Sequence, residues 1–437
     1  MKLESRLPCQ PRPCSVEFKM IRALPLLLAL TLLLGCADDT QPTQEVVFPE
    51  DVTQQGKSFV QNRAYRRAVL KKSLVDPTNG YSRLRLEHYA LEGGWDDLPV
   101  WNPLARPIVF ADVGSFRDER ALTQGPYSAI DLSDWSWAHE DLMRVGARAF
   151  EEYPLDVDRF IGKGVRSAAA VQAYGLWVDA RGRVGGALRV RVEDTGPVEE
   201  AFAQTCATCH ANIGEDAGLI HGVSNASFDQ GALMGASWGP GLVDVTPDGQ
   251  DNPAAIIDLR PIRYQKRLHW AATLYNDLPA LAVRIETLLI TSLNQRARPP
   301  REIAWALAYY LWNLSQPPAS PVELSAQQKR GQTHFRARCV GCHAEDGTTS
   351  EPVLLEVIGT DDAVGRSSQR GTGTYRVPSL WKVSTRTQWM HHGQVRTLED
   401  MFTPERLERV PGHPFGTDLD AQAREDLLAF LTTLDGQ

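Results

Sequence analysis

The chain has 437 residues, of which 43% are hydrophobic and 23% charged, an ordinary globular composition. That length holds about three domains of roughly 150 residues each and leaves ample apolar side chain for a core. Lys plus Arg total 46 against 54 Asp plus Glu, a net charge of −8, which excludes the basic stripe that nucleic-acid binding needs. The seven cysteines are an odd number, which argues against a simple disulfide framework.

In chain order, residues 24–34 (LPLLLALTLLL) form an apolar run that is too short to span a bilayer as a mature helix. The run follows Arg22 and ends at Leu33-Leu34-Gly35-Cys36, the layout of a secretory signal. Leu-Leu-Gly-Cys also resembles a bacterial lipobox, which makes Cys36 the expected lipidation site. Residues 1–36 are thus read as a signal region, with Met20 as an alternative start that would remove Cys9 and Cys14. The expected location is the periplasmic side of the cell envelope, lipid-anchored to the inner or outer membrane.

Residues 37–196 carry no metal motif and are read as a mixed α/β leading domain of unknown role. Within it, Arg63–Leu74 predicts a basic helix. Tyr174–Val192 alternates about a turn at Asp179-Ala180-Arg181-Gly182 and predicts a β-hairpin. Tyr89, Trp95, Trp101, Trp135 and Trp137 make the region rich in aromatics, and core packing is their expected use.

Two motifs then follow, Cys206-Ala207-Thr208-Cys209-His210 and Cys339-Val340-Gly341-Cys342-His343. C-x-x-C-H is the c-type haem attachment signature: each thiol adds to a haem vinyl group and the adjacent histidine reaches the iron. Zinc would need further Cys or His at ligand spacing, and a thioredoxin-like dithiol would sit in a βαβ unit without the trailing His. Pro197–Thr205 and Ser325–Arg338 are predicted as helices feeding the two motifs. Arg301–Leu314 and Ala421–Leu434 are predicted as amphipathic helices closing each module. Pro317-Pro318 and Pro321 mark a linker. The expected fold is mainly α, with cytochrome c-like haem domains at 197–318 and 322–437 behind the leading domain. The expected cofactors are two covalent haem c groups held by Cys206, Cys209 and His210 and by Cys339, Cys342 and His343.

What fills the second axial position of each iron decides its chemistry. In the C-terminal module the candidate is Met390, with His391 or His392 as rivals. In the first module the candidates are His221, Met234 and His269. The stretches Arg376-Val377-Pro378-Ser379-Leu380, Trp389-Met390-His391-His392-Gly393 and Thr397-Leu398-Glu399-Asp400 resemble the C-terminal half of the bacterial di-haem cytochrome c peroxidases. In that family the methionine of M-H-x-G is the axial ligand of the high-potential haem, and the position falls on Met390. His221-Gly222 resembles the family's distal histidine-glycine segment, closer to the motif than usual. Leu268-His269-Trp270 resembles its F-W-D-G-R segment, so that Trp270 matches the tryptophan between the haems that carries electrons. Ala271-Ala272-Thr273 departs from D-G-R. The family's acidic E-Q-A element is absent around Ala280–Glu286, with Asp277 and Glu286 as the nearest substitutes. Asn252-Pro253 lies near where the family places part of a Ca2+ site.

The resemblance implies an exported di-haem cytochrome that transfers electrons from a small donor protein, a cytochrome or a cupredoxin, to an oxidant such as hydrogen peroxide. A non-catalytic di-haem carrier and a related di-haem oxygenase remain the alternatives.

Overall fold

The computed structural model describes residues 48–115, 126–157, 159–192, 199–244, 246, 250–314 and 323–435. The signal region with Cys9, Cys14 and Cys36, and the Pro317–Pro321 linker, lie outside the described residues. Among those described, no helix is long and apolar enough to cross a membrane.

Three short helices open the described chain, Val52–Gln61, Arg63–Ser73 and Gly80–His88. Each starts where an Asp or Asn side chain accepts a free backbone N–H of the first turn: Asp51 from Gln54, Asn62 from Tyr65 and Asn79 from Ser82. The second of them is the expected basic helix, ending on Lys71 and Lys72. Their apolar faces do not build a core of their own. Phe59, Tyr65, Val69 and Leu70 join Val145 and Phe150 of the His139–Glu152 helix in one cluster. The same cluster takes in Leu281 and Ile285 of the Leu278–Ser292 helix and Trp305 and Leu307 of the Arg301–Leu314 helix. The Phe59 and Trp305 rings meet at 5.7 Å.

An antiparallel sheet of β1 (Ala105–Val109), β2 (Arg183–Val192) and β3 (Glu199–Gln204) leads into the first motif. Two sequence expectations change here. The expected hairpin turns at Asp179–Gly182, where the Gly182 N–H reaches the Asp179 carbonyl at 2.8 Å, but its arms bridge only at Val178 and Val184. Gly185 and Gly186, with φ of +50° and +65°, bend the strand away at that point, and β2 pairs with β1 and β3 instead. The helix expected over Pro197–Thr205 is a strand over its described part. Glu200 turns inward to meet Arg189 at 3.0 Å with both side chains fully buried, so a residue that reads as polar surface belongs to the interior face.

In the C-terminal module the Ala326–Arg338 helix begins with a capping box in which Ser325 and Gln328 satisfy each other's backbone N–H groups. It crosses the Ala421–Leu431 helix closely. A Cβ on Gly331 would lie 1.9 Å from the Asp426 carbonyl oxygen, and Phe335 packs on Phe430 at 5.1 Å. The expected Ala421–Leu434 helix ends at Leu431 and continues as a 3-10 turn through Asp435. Val383, Val395, Leu398 and Leu427 complete this second core.

Candidate haem centres

The first motif forms a one-turn helix, Cys206–His210, entered directly from β3. Across its start the Thr205 N–H donates to the Thr208 hydroxyl at 3.3 Å and the Thr208 N–H to the Thr205 carbonyl at 3.1 Å. Gly186 of β2 lies against this turn. A Cβ there would sit 2.6 Å from the Thr208 nitrogen, so only glycine permits the approach. Asn225 ties down the other end: its backbone N–H reaches the Cys209 carbonyl at 2.8 Å and its side chain the Thr208 carbonyl at 3.0 Å. Ala207 and Thr208 are buried while Cys206, Cys209 and His210 are half-exposed, so the turn presents its thiols and imidazole together. In the second motif Cys339 caps the Ala326–Arg338 helix, and the His343 N–H returns to the Cys339 carbonyl at 2.8 Å.

The chemistry of these side chains suits haem c. Burial pushes the thiols of Cys206 and Cys209 up to about 12 and that of Cys339 up to about 11, the reverse of the lowered pKa that marks a redox or thiolate-ligand cysteine. Burial pushes His210 down to about 4 and His343 down to about 3, which keeps both imidazoles neutral, the form that binds iron. His210 Nδ1–H donates to the Ile257 carbonyl at 3.0 Å, leaving Nε2 as the free lone pair, the orientation that metal-bound histidines adopt. The Pro378 carbonyl stands beside His343 in the same role, although Nδ1 lies outside hydrogen-bond geometry.

The candidates for the second axial position of the first iron are placed differently from one another. His221 has both ring nitrogens engaged, Nδ1 with the Tyr310 hydroxyl at 2.5 Å and Nε2 with Glu151 at 3.0 Å. Glu151 also pairs with Arg183, and Arg183 with Asp179 at 2.7 Å. Neither nitrogen of His221 is therefore open to an iron. Met234 is 45% exposed. His269 has φ of +64°, and its Nε2 accepts from Arg284 Nε at 2.6 Å. Its Nδ1 is buried without a partner among the described residues, as is Arg284 Nη1. Burial together with the charges of Arg284, Arg370, Arg85 and Arg376 holds His269 well below the usual imidazole range. The Arg284 charge also reaches Cys206 and His210, so this pair stands by the first haem centre.

The two suggested acids are committed elsewhere. Glu286, fully buried, accepts from Tyr89 at 2.5 Å and pairs with Arg301 at 3.0 Å. Asp277 caps the Leu278–Ser292 helix by accepting the Ala280 N–H. The backbone N–H of Asn252 goes to Asp244 at 2.9 Å, and the described residues contain no group of three His, Cys, Asp or Glu that could hold a metal ion.

Trp270 joins the segment after the first motif to the segment after the second. Its indole N–H donates to the Ala255 carbonyl at 3.0 Å, and its own carbonyl accepts from Arg376. The Arg376 guanidinium lies 4.7 Å from its ring centre. The His391 ring is 6.5 Å away. A cavity of about 280 Å³ opens alongside, lined by Ile257, Trp270, Arg376, Pro378 and Arg386 among others. Ile257 and Pro378 supply the carbonyls beside the two motif histidines. Met390, with φ of +64°, packs against the second core next to Trp389.

Residues 328–435 match the family model for cytochrome c. No curated protein matches the chain. Among solved structures, one similar chain is a MauG-like protein associated with microbial copper homeostasis, at 16% identity over 70% of this chain and 91% of that one, with a TM-score of 0.36. Another is the hydrazine synthase of Kuenenia stuttgartiensis, at 15% identity over 77% and 95%, with a TM-score of 0.37. A third is the diheme peroxidase BthA from Burkholderia thailandensis, at 15% identity over 77% and 94%, with a TM-score of 0.33. Residues 328–435 thus resemble a cytochrome c domain. At these TM-scores the overlaps assign no activity.

Proposed function

We propose that the chain is an exported di-haem c-type cytochrome that passes electrons between two haems and reduces an oxidant, hydrogen peroxide first among them, at the haem held by Cys206, Cys209 and His210. The observation that carries this reading is the state of the first centre's candidate ligands. His221 is locked between Tyr310 and Glu151, and Nε2 of His269 is taken by Arg284, so that neither would offer Nε2 to a haem held at this motif and an exogenous oxidant could take that place. Haem bound at each motif supplies a one-electron iron couple. The chain's own residues would orient it: His210 donates to the Ile257 carbonyl, and Trp270, in contact with Arg376, would carry electrons between the two centres. His269 beside Arg284 would place a neutral imidazole next to a fixed positive charge. Such a pair suits an O–O bond that gathers negative charge as it breaks. Electrons would arrive from a small cytochrome or cupredoxin, and lipidated Cys36 would hold the protein at the outer face of a membrane.

A non-catalytic carrier is the second reading, favoured by the engagement of Glu286 and Asp277 away from the first centre. Electron paramagnetic resonance of the oxidised and half-reduced protein separates the two. A high-spin first haem in either state, with peroxide turnover from a reduced donor, is expected. A low-spin first haem in both states without turnover would leave the carrier.

A further inference from the structure

We propose that His413 is the sixth ligand of the second iron, facing His343 across the haem plane; this rests on the reading of the chain as a di-haem cytochrome. The ring centres of His343 and His413 are 6.5 Å apart, with the planes at 62°. Two imidazoles bound to one metal through nitrogen at about 2.0 Å, with about 1.1 Å from each nitrogen to its ring centre, stand about 6.2 Å apart. The 62° angle is compatible, because each ring keeps its metal bond at any rotation about that axis. Direct stacking or hydrogen bonding would bring the rings closer or join their nitrogens. Neither occurs among the described residues, and each of the two histidines is only half-buried.

The segment that presents His413 is fixed as a ligand-bearing loop needs to be. Arg406 is fully buried, and its guanidinium donates to four carbonyls, those of Met401 at 3.1 Å, Val410 at 3.0 Å, His413 at 2.7 Å and Gly412. The His413 N–H donates to the Ile358 carbonyl at 2.7 Å. The ring meets Phe415 edge-on at 5.4 Å. His413 has φ of +47°, a left-handed conformation that a non-glycine residue keeps only when its surroundings impose it. The Nε2 atoms of the rival imidazoles are engaged: His391 stacks on Tyr375 at 4.5 Å with Nε2 near its hydroxyl at 3.3 Å, and His392 Nε2 meets Thr360 at 3.4 Å. Met390 would give a higher-potential centre, since methionine ligation raises the potential of a histidine-bound haem.

The test uses the full-length holoprotein, with mass spectrometry, near-infrared magnetic circular dichroism and potentiometry. Two covalent haems are expected by mass; one or none refutes the di-haem reading itself, apart from the ligand assignment. The oxidised protein is expected to lack the methionine-to-iron charge-transfer band and to be unchanged in Met390→Leu. His413→Gly is expected to lose the bis-imidazole signal of one haem and regain it with imidazole in the buffer. His413→Met, which keeps a ligand at the position, is expected to gain the methionine band and a higher midpoint. A methionine band in the parent that Met390→Leu abolishes overturns the proposal. So does a His413→Met protein whose band and midpoint match the parent.

Discussion

Replacing Glu286 by Gln separates a structural acid from one that acts at an iron. Glu286 is fully buried, takes the Tyr89 hydroxyl at 2.5 Å and pairs with Arg301 Nε at 3.0 Å. The other face of Arg301 meets Asp96 at 2.8 Å, and Asp96 also holds Arg66 at 2.7 Å and Arg63 at 2.8 Å. Gln keeps the size and one acceptor but removes the charge, so that Asp96, with Asp97 on the outer Arg63, is left to balance three guanidinium groups. Hydrogen bonds to charged groups contribute about 1.5–3 kcal/mol each, and breaking a buried ion pair from one side costs about 3–5 kcal/mol. Because Arg301 keeps Asp96, the expected loss is near the lower end, about 3 kcal/mol. Tyr89→Phe, which removes one of the two bonds to Glu286, is expected to cost about 1.5–3 kcal/mol, and the double variant less than the sum of the two. Urea unfolding followed by far-ultraviolet circular dichroism measures stability, alongside the haem spectrum and turnover per folded molecule. The expected Glu286→Gln protein is less stable with an unchanged spectrum and unchanged turnover. A stability within 1 kcal/mol of the parent (about the error of ordinary surface effects) together with lost turnover would refute the assignment and move Glu286 to the iron.

A pH effect and a packing effect can be checked on the same protein. Burial opposes the charge on Glu151, but hydrogen bonds from His221 and Arg183 outweigh it and hold the carboxyl at about 2. A folded-state value below the unfolded one gives stability that is complete above pH 4.5 and is lost as pH falls toward 2, about 3 kcal/mol in all. Urea midpoints between pH 5 and 2 should fall less steeply in Glu151→Gln, and parallel curves would contradict this. Gly331→Ala places a Cβ against the Asp426 carbonyl and should cost about 1–3 kcal/mol or more. Calorimetry of the holoprotein reads this loss, and an unchanged transition would mean that the two helices separate freely.

Local signals in the sequence were the ones that carried through to the structure. Ser325 and Gln328 sit three residues apart, so their capping box is visible as a pattern, and the Arg301–Leu314 helix runs between the predicted ends. The C-x-x-C-H motifs are local as well. The strand at Glu199–Gln204 was hidden because its inward Glu200 is neutralised by Arg189 on a neighbouring strand, and no window around Glu200 alone contains that partner. His221 read as a ligand candidate because Glu151 and Tyr310, which occupy its nitrogens, come from 70 residues before it and 89 after it. His413 does not stand out in the sequence for a comparable reason. It lies in Pro411-Gly412-His413-Pro414, a plain turn in sequence, and only the packing of Arg406 and Ile358 aims it at His343. A histidine between Gly and Pro beside an arginine-rich segment was the one available cue.

The uneven way the two cores are drawn from the chain has a consequence for the order of assembly. The second core takes its described residues from Leu324 to Leu434, and its principal crossing joins helices separated by fewer than a hundred residues. The first gathers side chains from Phe59 to Leu314, and the strand entering its motif pairs with β2 of the sheet that Ala105–Val109 begins. Contacts between distant segments form slowly because a long loop must close before they gain anything. The C-terminal haem module is therefore placed to fold as a nucleus of its own, while the first awaits nearly the whole chain. Lesions in the opening helices should accordingly yield molecules matured at Cys339 and Cys342 but arrested at Cys206 and Cys209, a population of half-loaded protein whose composition records the route by which it folded.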